Sequence, residues 1–89
     1  MIELNLKHVA VYDKYFKMVL LADYVTDYRG VSYYVLKYTD MIRRNDGKRV
    51  PGPKSYERSD NGTVIPRRVN SPKAIEALAK KIGLVYFEF

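Results

Sequence analysis

Lys and Arg side chains are concentrated near the middle of the chain. Eight of them lie within 26 residues, and this cluster consists of Arg43, Arg44, Lys48, Arg49, Lys54, Arg58, Arg67 and Arg68. Arginine dominates the cluster, and a guanidinium offers a planar fork of donors that binds phosphate and stacks on bases. The pattern favours a phosphate-binding surface, but it also fits a solvated turn region whose charges only keep the protein in solution.

Tyrosine is the second residue type that could carry chemistry. The chain has nine Tyr and no Trp, and tyrosine combines a rigid stacking surface with a polar tip. Strand alternation places four relevant residues on one sheet face: Tyr15, Lys17, Tyr33 and Lys37. Tyr28 lies beside Arg29 at a predicted hairpin tip. Aromatic and Lys side chains interleaved in this way suit a nucleic-acid-binding face, and they are also what an ordinary half-covered sheet shows.

Catalytic residues are scarce. His8 is the single histidine, there is no cysteine, and none of the four serines lies in a recognisable nucleophile turn. Asp23 is the acid that alternation places among apolar neighbours, and we expect it to form an ion pair with Lys37. No pair of glycines has the spacing of a phosphate-binding loop. There is also no second histidine that could bind a metal together with His8. We therefore expect a non-enzymatic protein without a cofactor or metal.

Length and charge limit the class of protein. A chain of 89 residues predicts one domain, 1–89, with little stability to spare, so association as a homodimer is one expected option. The formal net charge of +6 favours an anionic partner. Neither a signal peptide nor a membrane-spanning run is evident, and we expect a cytoplasmic protein that does not bind a membrane.

The segment from residue 15 to 39 is the densest in apolar, β-branched and aromatic residues, and it predicts a β-hairpin. Its turn is Asp27-Tyr28-Arg29-Gly30. The Asp side chain can accept a hydrogen bond from a backbone amide that follows it, and Gly can take a positive φ. If Asp27 pairs with Val31, facing positions sum to 58. The even face of this hairpin carries Phe16, Met18, Leu20, Ala22, Tyr24, Tyr34, Leu36 and Tyr38. It is apolar enough for the core, whereas the odd face is either partly covered or a binding surface.

The predicted fold is α+β. An antiparallel β-meander is expected over 2–11, 15–26 and 31–39, with a C-terminal strand over 84–89 added to the sheet. A helix over 72–82, capped by Ser71 and ended by Gly83, is expected to pack on the even face near Phe16, Leu20 and Leu36. The region 40–70 holds three of the four prolines and predicts a long basic loop, with a short strand at 63–65 as an option.

The leading functional expectation is a small protein that binds DNA or RNA. The residues expected to hold phosphates are Arg43, Arg44, Lys48, Arg49, Arg67 and Arg68. The residues expected to form a stacking or backbone-contacting sheet face are Tyr28, Tyr33, Lys17 and Lys37. Two alternatives remain open: an inhibitor or adaptor that docks an acidic surface of a larger protein, and a protein that self-associates through the odd face.

Overall fold

The computed structural model describes residues 8–88, so the predicted strand residues 2–7 and residue 89 lie outside the described part. The described elements are β1 (His8–Tyr12), β2 (Met18–Thr26), β3 (Ser32–Arg43), β4 (Arg49–Pro51), β5 (Arg68–Val69), α1 (Pro72–Ile82) and β6 (Tyr86–Glu88). The strands form an antiparallel sheet in the order β4-β3-β2-β1-β6, and β5 pairs with β3. The sheet curls as a half-barrel, and the α+β prediction is confirmed.

The register predicted for the central hairpin is confirmed. Leu20 faces Tyr38 and Tyr24 faces Tyr34, and the Asp27 amide donates to the Val31 carbonyl at 2.9 Å. The turn closes as its residue types require. The Asp27 carboxylate accepts the amides of Arg29 and Val31, and Gly30 has a φ of +81°. Local turn chemistry therefore sets which side chains of β2 and β3 face the core.

The helix is confirmed at its predicted bounds and on its predicted face. The Ser71 side chain accepts the Ala74 amide, and Gly83 ends the helix in the left-handed region. Ile75 and Ala79 pack with Leu20 and Leu36 in the core cluster. The C-terminal strand also adds to the sheet as predicted, because β6 pairs with β1.

Two aromatic side chains predicted for the core are not there. β2 begins at Met18 rather than at residue 15, because the Asp13 carboxylate accepts the amides of Lys17 and Met18 and closes a turn over 13–17. Phe16 lies in this turn with a φ of +57°, and its ring is 5.1 Å from that of Tyr12. Tyr24 faces the helix side but is 47% exposed, since it lies near the hairpin end. Its ring centroid is 4.9 Å from that of Tyr34, and the two rings are tilted.

The predicted long basic loop over 40–70 is irregular over most of its length, but it contains more strand pairing than expected. β3 runs on to Arg43 and turns back into β4, and an isolated bridge joins Arg58 to Val64. The segment then bonds repeatedly to the edge of β3. Gly52 donates to the Asp40 carbonyl, Tyr56 donates to that of Tyr38, and Leu36 donates to that of Arg67. A backbone that runs along a strand edge can satisfy the hydrogen-bonding groups of that edge without an alternating pattern of side chains. The sequence pattern therefore did not indicate this pairing.

We call the sheet face opposite the helix the outer face. It carries the odd-numbered residues of β2 and β3, and it is only partly open. Val19 and Thr39 are fully buried there, and the Gly52 carbonyl accepts from both the Thr39 hydroxyl (3.2 Å) and the Lys37 ammonium (3.1 Å). The outer face is therefore closed near the start of β2 and open toward the β2–β3 turn, where Val35 is exposed.

Candidate nucleic-acid interface

Cations from two distant parts of the chain meet at one end of the sheet. We call this surface the basic end, and its residues are Lys14, Lys17, Arg43, Arg44, Lys48 and Arg49. The β1–β2 turn supplies the first two and the β3–β4 hairpin supplies the other four. The two segments are joined by a backbone hydrogen bond of 2.7 Å from the Met41 amide to the Lys17 carbonyl. All six side chains belong to exposed residues.

Arg49 locks the β3–β4 hairpin to the neighbouring turn. Its guanidinium donates to the Tyr15 carbonyl at 2.7 Å and to the Phe16 carbonyl at 3.3 Å, both through Nη1. A guanidinium has five N–H donors, so these contacts leave others for an anion. Arg49 therefore orients the basic end and can still contribute to binding there.

The β3–β4 turn shares the backbone pattern of the central turn, but its acid is the third residue of the turn and not the first. Gly47 has a φ of +82° and donates to the Arg44 carbonyl, while the Asp46 carboxylate accepts the Lys48 amide. The other oxygen of Asp46 lies 2.7 Å from the Arg44 guanidinium. Asp46, the acid among these cations, therefore stabilises the turn. It also holds Arg44 in a defined position at the tip.

A second group of predicted site residues lies far from the basic end. It consists of Tyr28, Tyr33 and Arg68, and together with Arg29, which lies beside Tyr28 and was not predicted for the site, we call it the tip group. The Arg68 guanidinium lies 4.8 Å from the Tyr33 ring centroid, and that of Arg29 lies 5.5 Å from the Tyr28 ring. Tyr33 and Arg43 are ten residues apart on β3, which is roughly 30 Å at strand spacing. The structure therefore divides the predicted site between opposite ends of the sheet.

The remaining predicted site residues have other neighbours. The Lys37 ammonium is bonded to the Gly52 carbonyl. Arg67 lines a cavity of about 540 Å³ together with Tyr38, Tyr56 and Glu57. The predicted ion pair between Asp23 and Lys37 is not formed, because His8 on β1 lies opposite Asp23 and its Nδ1 is 3.1 Å from the carboxylate.

Lys14 was missed as a candidate site residue, and Tyr15 was noted on the odd face but left out of the predicted site. Tyr15 is 61% exposed and its ring centroid is 4.9 Å from the Lys14 ammonium, beside the four cations of the β3–β4 hairpin. The signal that could have found them is the hairpin register itself. Positions that sum to 58 bring Lys17 opposite Met41, so the residues just before Lys17 must lie near Arg43 and Arg44.

No cluster of three or more His, Asp or Glu in residues 8–88 could hold a metal ion. Within the same residues, the one helix is too short to cross a bilayer. An apolar cavity of about 440 Å³ lies between α1 and the segment 63–69, away from the basic end, and is lined by Val64, Pro66 and Leu78 among others.

Comparison of the chain with protein-family models, curated proteins and solved structures finds no match. The function is therefore inferred from the geometry and charge of the site itself.

Proposed function

We propose that this protein is a non-enzymatic nucleic-acid-binding protein whose basic end contacts the phosphate backbone. The observation that supports this most directly is the convergence of six cations from two separate segments, held together by the Met41–Lys17 and Arg49–Tyr15 hydrogen bonds. Cations fixed side by side repel one another, and a chain of phosphates relieves that repulsion while releasing its own counterions.

The carboxylates near the basic end do not cancel its charge. They belong to Asp13, Asp40 and Asp46, so six cations face three acids. The Asp13 carboxylate is bonded to two backbone amides, that of Asp40 accepts from the Thr39 hydroxyl, and that of Asp46 is bonded to Arg44 and Lys48. Lys17, Arg43 and Lys48 are exposed to solvent and can reach phosphates, and Tyr15 supplies an exposed ring beside them.

The test is a fluorescence titration with labelled DNA and RNA, single- and double-stranded, over a range of salt concentrations. The site variant is Lys17→Gln/Arg43→Gln, and the charge-matched control is Arg29→Gln/Lys73→Gln, which removes two exposed cations elsewhere. We expect the wild type to bind at low salt. The site variant should bind at least tenfold more weakly, with a salt slope smaller by about 2, since each lost phosphate contact reduces that slope by about 1.

Two outcomes would overturn the proposal. One is no binding to any of these nucleic acids at low salt. The other is an equal loss in the control variant, which would mean that net charge alone governs binding. A partner that is retained from lysate by the basic end after nuclease treatment would instead favour the alternative of an acidic protein surface.

A further inference from the structure

We infer that the nucleic acid bound at the basic end is duplex DNA, and that the β3–β4 hairpin enters its major groove. The inference rests on the proposed function and adds the form of the ligand and the way it is read. We call the inserting element the basic ribbon and define it as residues 42–50.

The basic ribbon projects beyond the rest of the sheet. Pairing between β2 and β3 ends at Met18 and Asp40, and the last bond between those segments runs from the Met41 amide to the Lys17 carbonyl. Beyond that point Ile42 pairs with Val50 and Arg43 pairs with Arg49. Among the described residues, the backbone of the ribbon pairs only with itself, and every residue from 42 to 49 is exposed.

The dimensions of the ribbon suit the major groove of B-form DNA. That groove is about 12 Å wide and about 8.5 Å deep, and it admits a two-stranded β-ribbon. Paired strands lie about 4.8 Å apart, which leaves room for side chains on both sides. From the Arg43–Arg49 pair, where the β1–β2 turn lies alongside, to the turn at 45–46 the ribbon extends by roughly 8 Å at strand rise, and the side chains at its tip add to that reach.

The side chains at the tip suit base edges as well as phosphates. Arginine bonds to the O6 and N7 atoms of guanine, and asparagine bonds to the edge of adenine. Arg44 and Asn45 lie at the turn, which is the end of the ribbon that would reach these edges. The Asp46 carboxylate is hydrogen-bonded within the turn, to the Lys48 amide and to the Arg44 guanidinium.

The base of the ribbon is held rigidly and is flanked by further cations. Arg49 bonds to the carbonyls of Tyr15 and Phe16, so the ribbon cannot swing freely against the β1–β2 turn. Lys14 and Lys17 lie on that turn, beside the ribbon rather than at its tip. They are placed to meet the phosphates at the rim of a groove that the ribbon has entered.

A single strand fits this end of the molecule less well. Single-strand sites use a positively charged groove lined by aromatic rings on which successive bases stack. Tyr15 and Phe16 expose rings beside the basic end, but both lie in the short turn over 13–17. The outer face next to them is closed, since Thr39 is fully buried beneath Gly52, and the Tyr33–Arg68 pair lies at the opposite end of the sheet. The exposed rings therefore do not continue along the sheet as a track for successive bases.

The first experiment compares ligands that differ only in form. The wild-type protein is titrated with one sequence as duplex DNA, duplex RNA and single-stranded DNA, because the deep, narrow major groove of duplex RNA cannot admit side chains. We expect duplex DNA to bind at least tenfold more tightly than the other two. Equal or tighter binding of a single strand or of duplex RNA would overturn the inference and leave the proposed function standing.

The second experiment locates the protein in a groove by methylation protection. Guanine N7 lies in the major groove and adenine N3 lies in the minor groove. We expect bound protein to protect N7 and not N3, and we expect Arg44→Ala/Lys48→Ala to lose that protection while the Arg29→Gln/Lys73→Gln control keeps it. Circular dichroism checks that the Arg44→Ala/Lys48→Ala variant is folded. If this variant is unfolded, the footprint of the wild-type protein decides the test by itself. Protection of N3 alone, or of neither atom in saturated complexes, would overturn the inference, whereas absence of any binding would also remove the proposed function.

Discussion

Tyr38 combines burial with nearby acids, and its titration is therefore coupled to the fold. It lies on the helix side of β3 at 3% exposure. Burial raises the pKa of the Tyr38 phenol above its usual value near 10, and the carboxylates of Asp60 and Asp13 raise it further. Burial and Tyr24 also raise the pKa of Tyr34. The folded state therefore disfavours both phenolates more than the unfolded state does.

This difference predicts a loss of stability in alkali. Below pH 10 the Tyr38 phenol is neutral in the folded and the unfolded state, so its full contribution to the free energy of unfolding is present. Above pH 10 the unfolded state ionises first, and stability falls until the raised folded pKa is passed. We expect the free energy of unfolding of Tyr38→Phe, measured in urea between pH 8 and pH 11, to fall less steeply than that of the wild type. Tyr28→Phe, a control whose ring is 94% exposed, should follow the wild type. Parallel profiles for all three proteins would contradict the assignment.

The segment that follows β4 is the element that closes the sheet edge. Gly52 is buried at the point where this segment meets β3, and its amide bonds to the Asp40 carbonyl. A Cβ atom added there would lie 2.6 Å from the Asp40 carboxylate oxygen, 3.2 Å from its carbonyl oxygen and 3.3 Å from Ile42 Cγ2. The carboxylate can rotate away, but the carbonyl and the Ile42 methyl have less freedom because β4 pairs beside them.

Gly52→Ala is therefore expected to lower the free energy of unfolding by about 1 to 3 kcal/mol, the usual cost of overpacking. Urea denaturation measures this as a lower midpoint with an unchanged slope. Ser55→Ala, at a nearby exposed residue, serves as the control and should remain within about 0.5 kcal/mol of the wild type. A midpoint for Gly52→Ala equal to that of the wild type would mean that the edge segment shifts without cost.

At the scale of the whole molecule, the two charged and aromatic surfaces lie at opposite ends of the sheet. A duplex that receives the basic ribbon end-on is held at one end, and the tip group then points away from it. Tyr28→Ala/Arg68→Ala, the tip variant, should therefore change the affinity for duplex DNA less than twofold. Arg44→Ala/Lys48→Ala, the variant in the basic ribbon, should lose most of its binding. A tenfold loss in the tip variant, measured in the same titration, would show that both ends contact one ligand.

Many features of the fold could be predicted because they depend on neighbours in the chain. Asp27 and Gly30 define a turn with little help from elsewhere, and that turn carries the register of the whole hairpin. Ser71, Pro72 and Gly83 bound the helix for the same reason. The course of residues 49–69 could not be predicted, because its bonds to β3 depend on backbone groups and leave no periodic pattern of side chains.

The sequence by itself determined the α+β class, the hairpin register, the helix and its buried face, and the abundance of arginine in the middle of the chain. The register also places Lys17 opposite Met41, but only the tertiary structure decided where β3 turns back into β4 and where β5 lies, and so which of those charges belong together. Lys14 and Lys17 join Arg43 and Arg49 because antiparallel pairing brings position 17 beside position 41, and Arg68 is carried to the other end because β5 pairs with the opposite half of β3. Charge is a property of composition, but a binding surface depends on distances between residues that are remote in the chain.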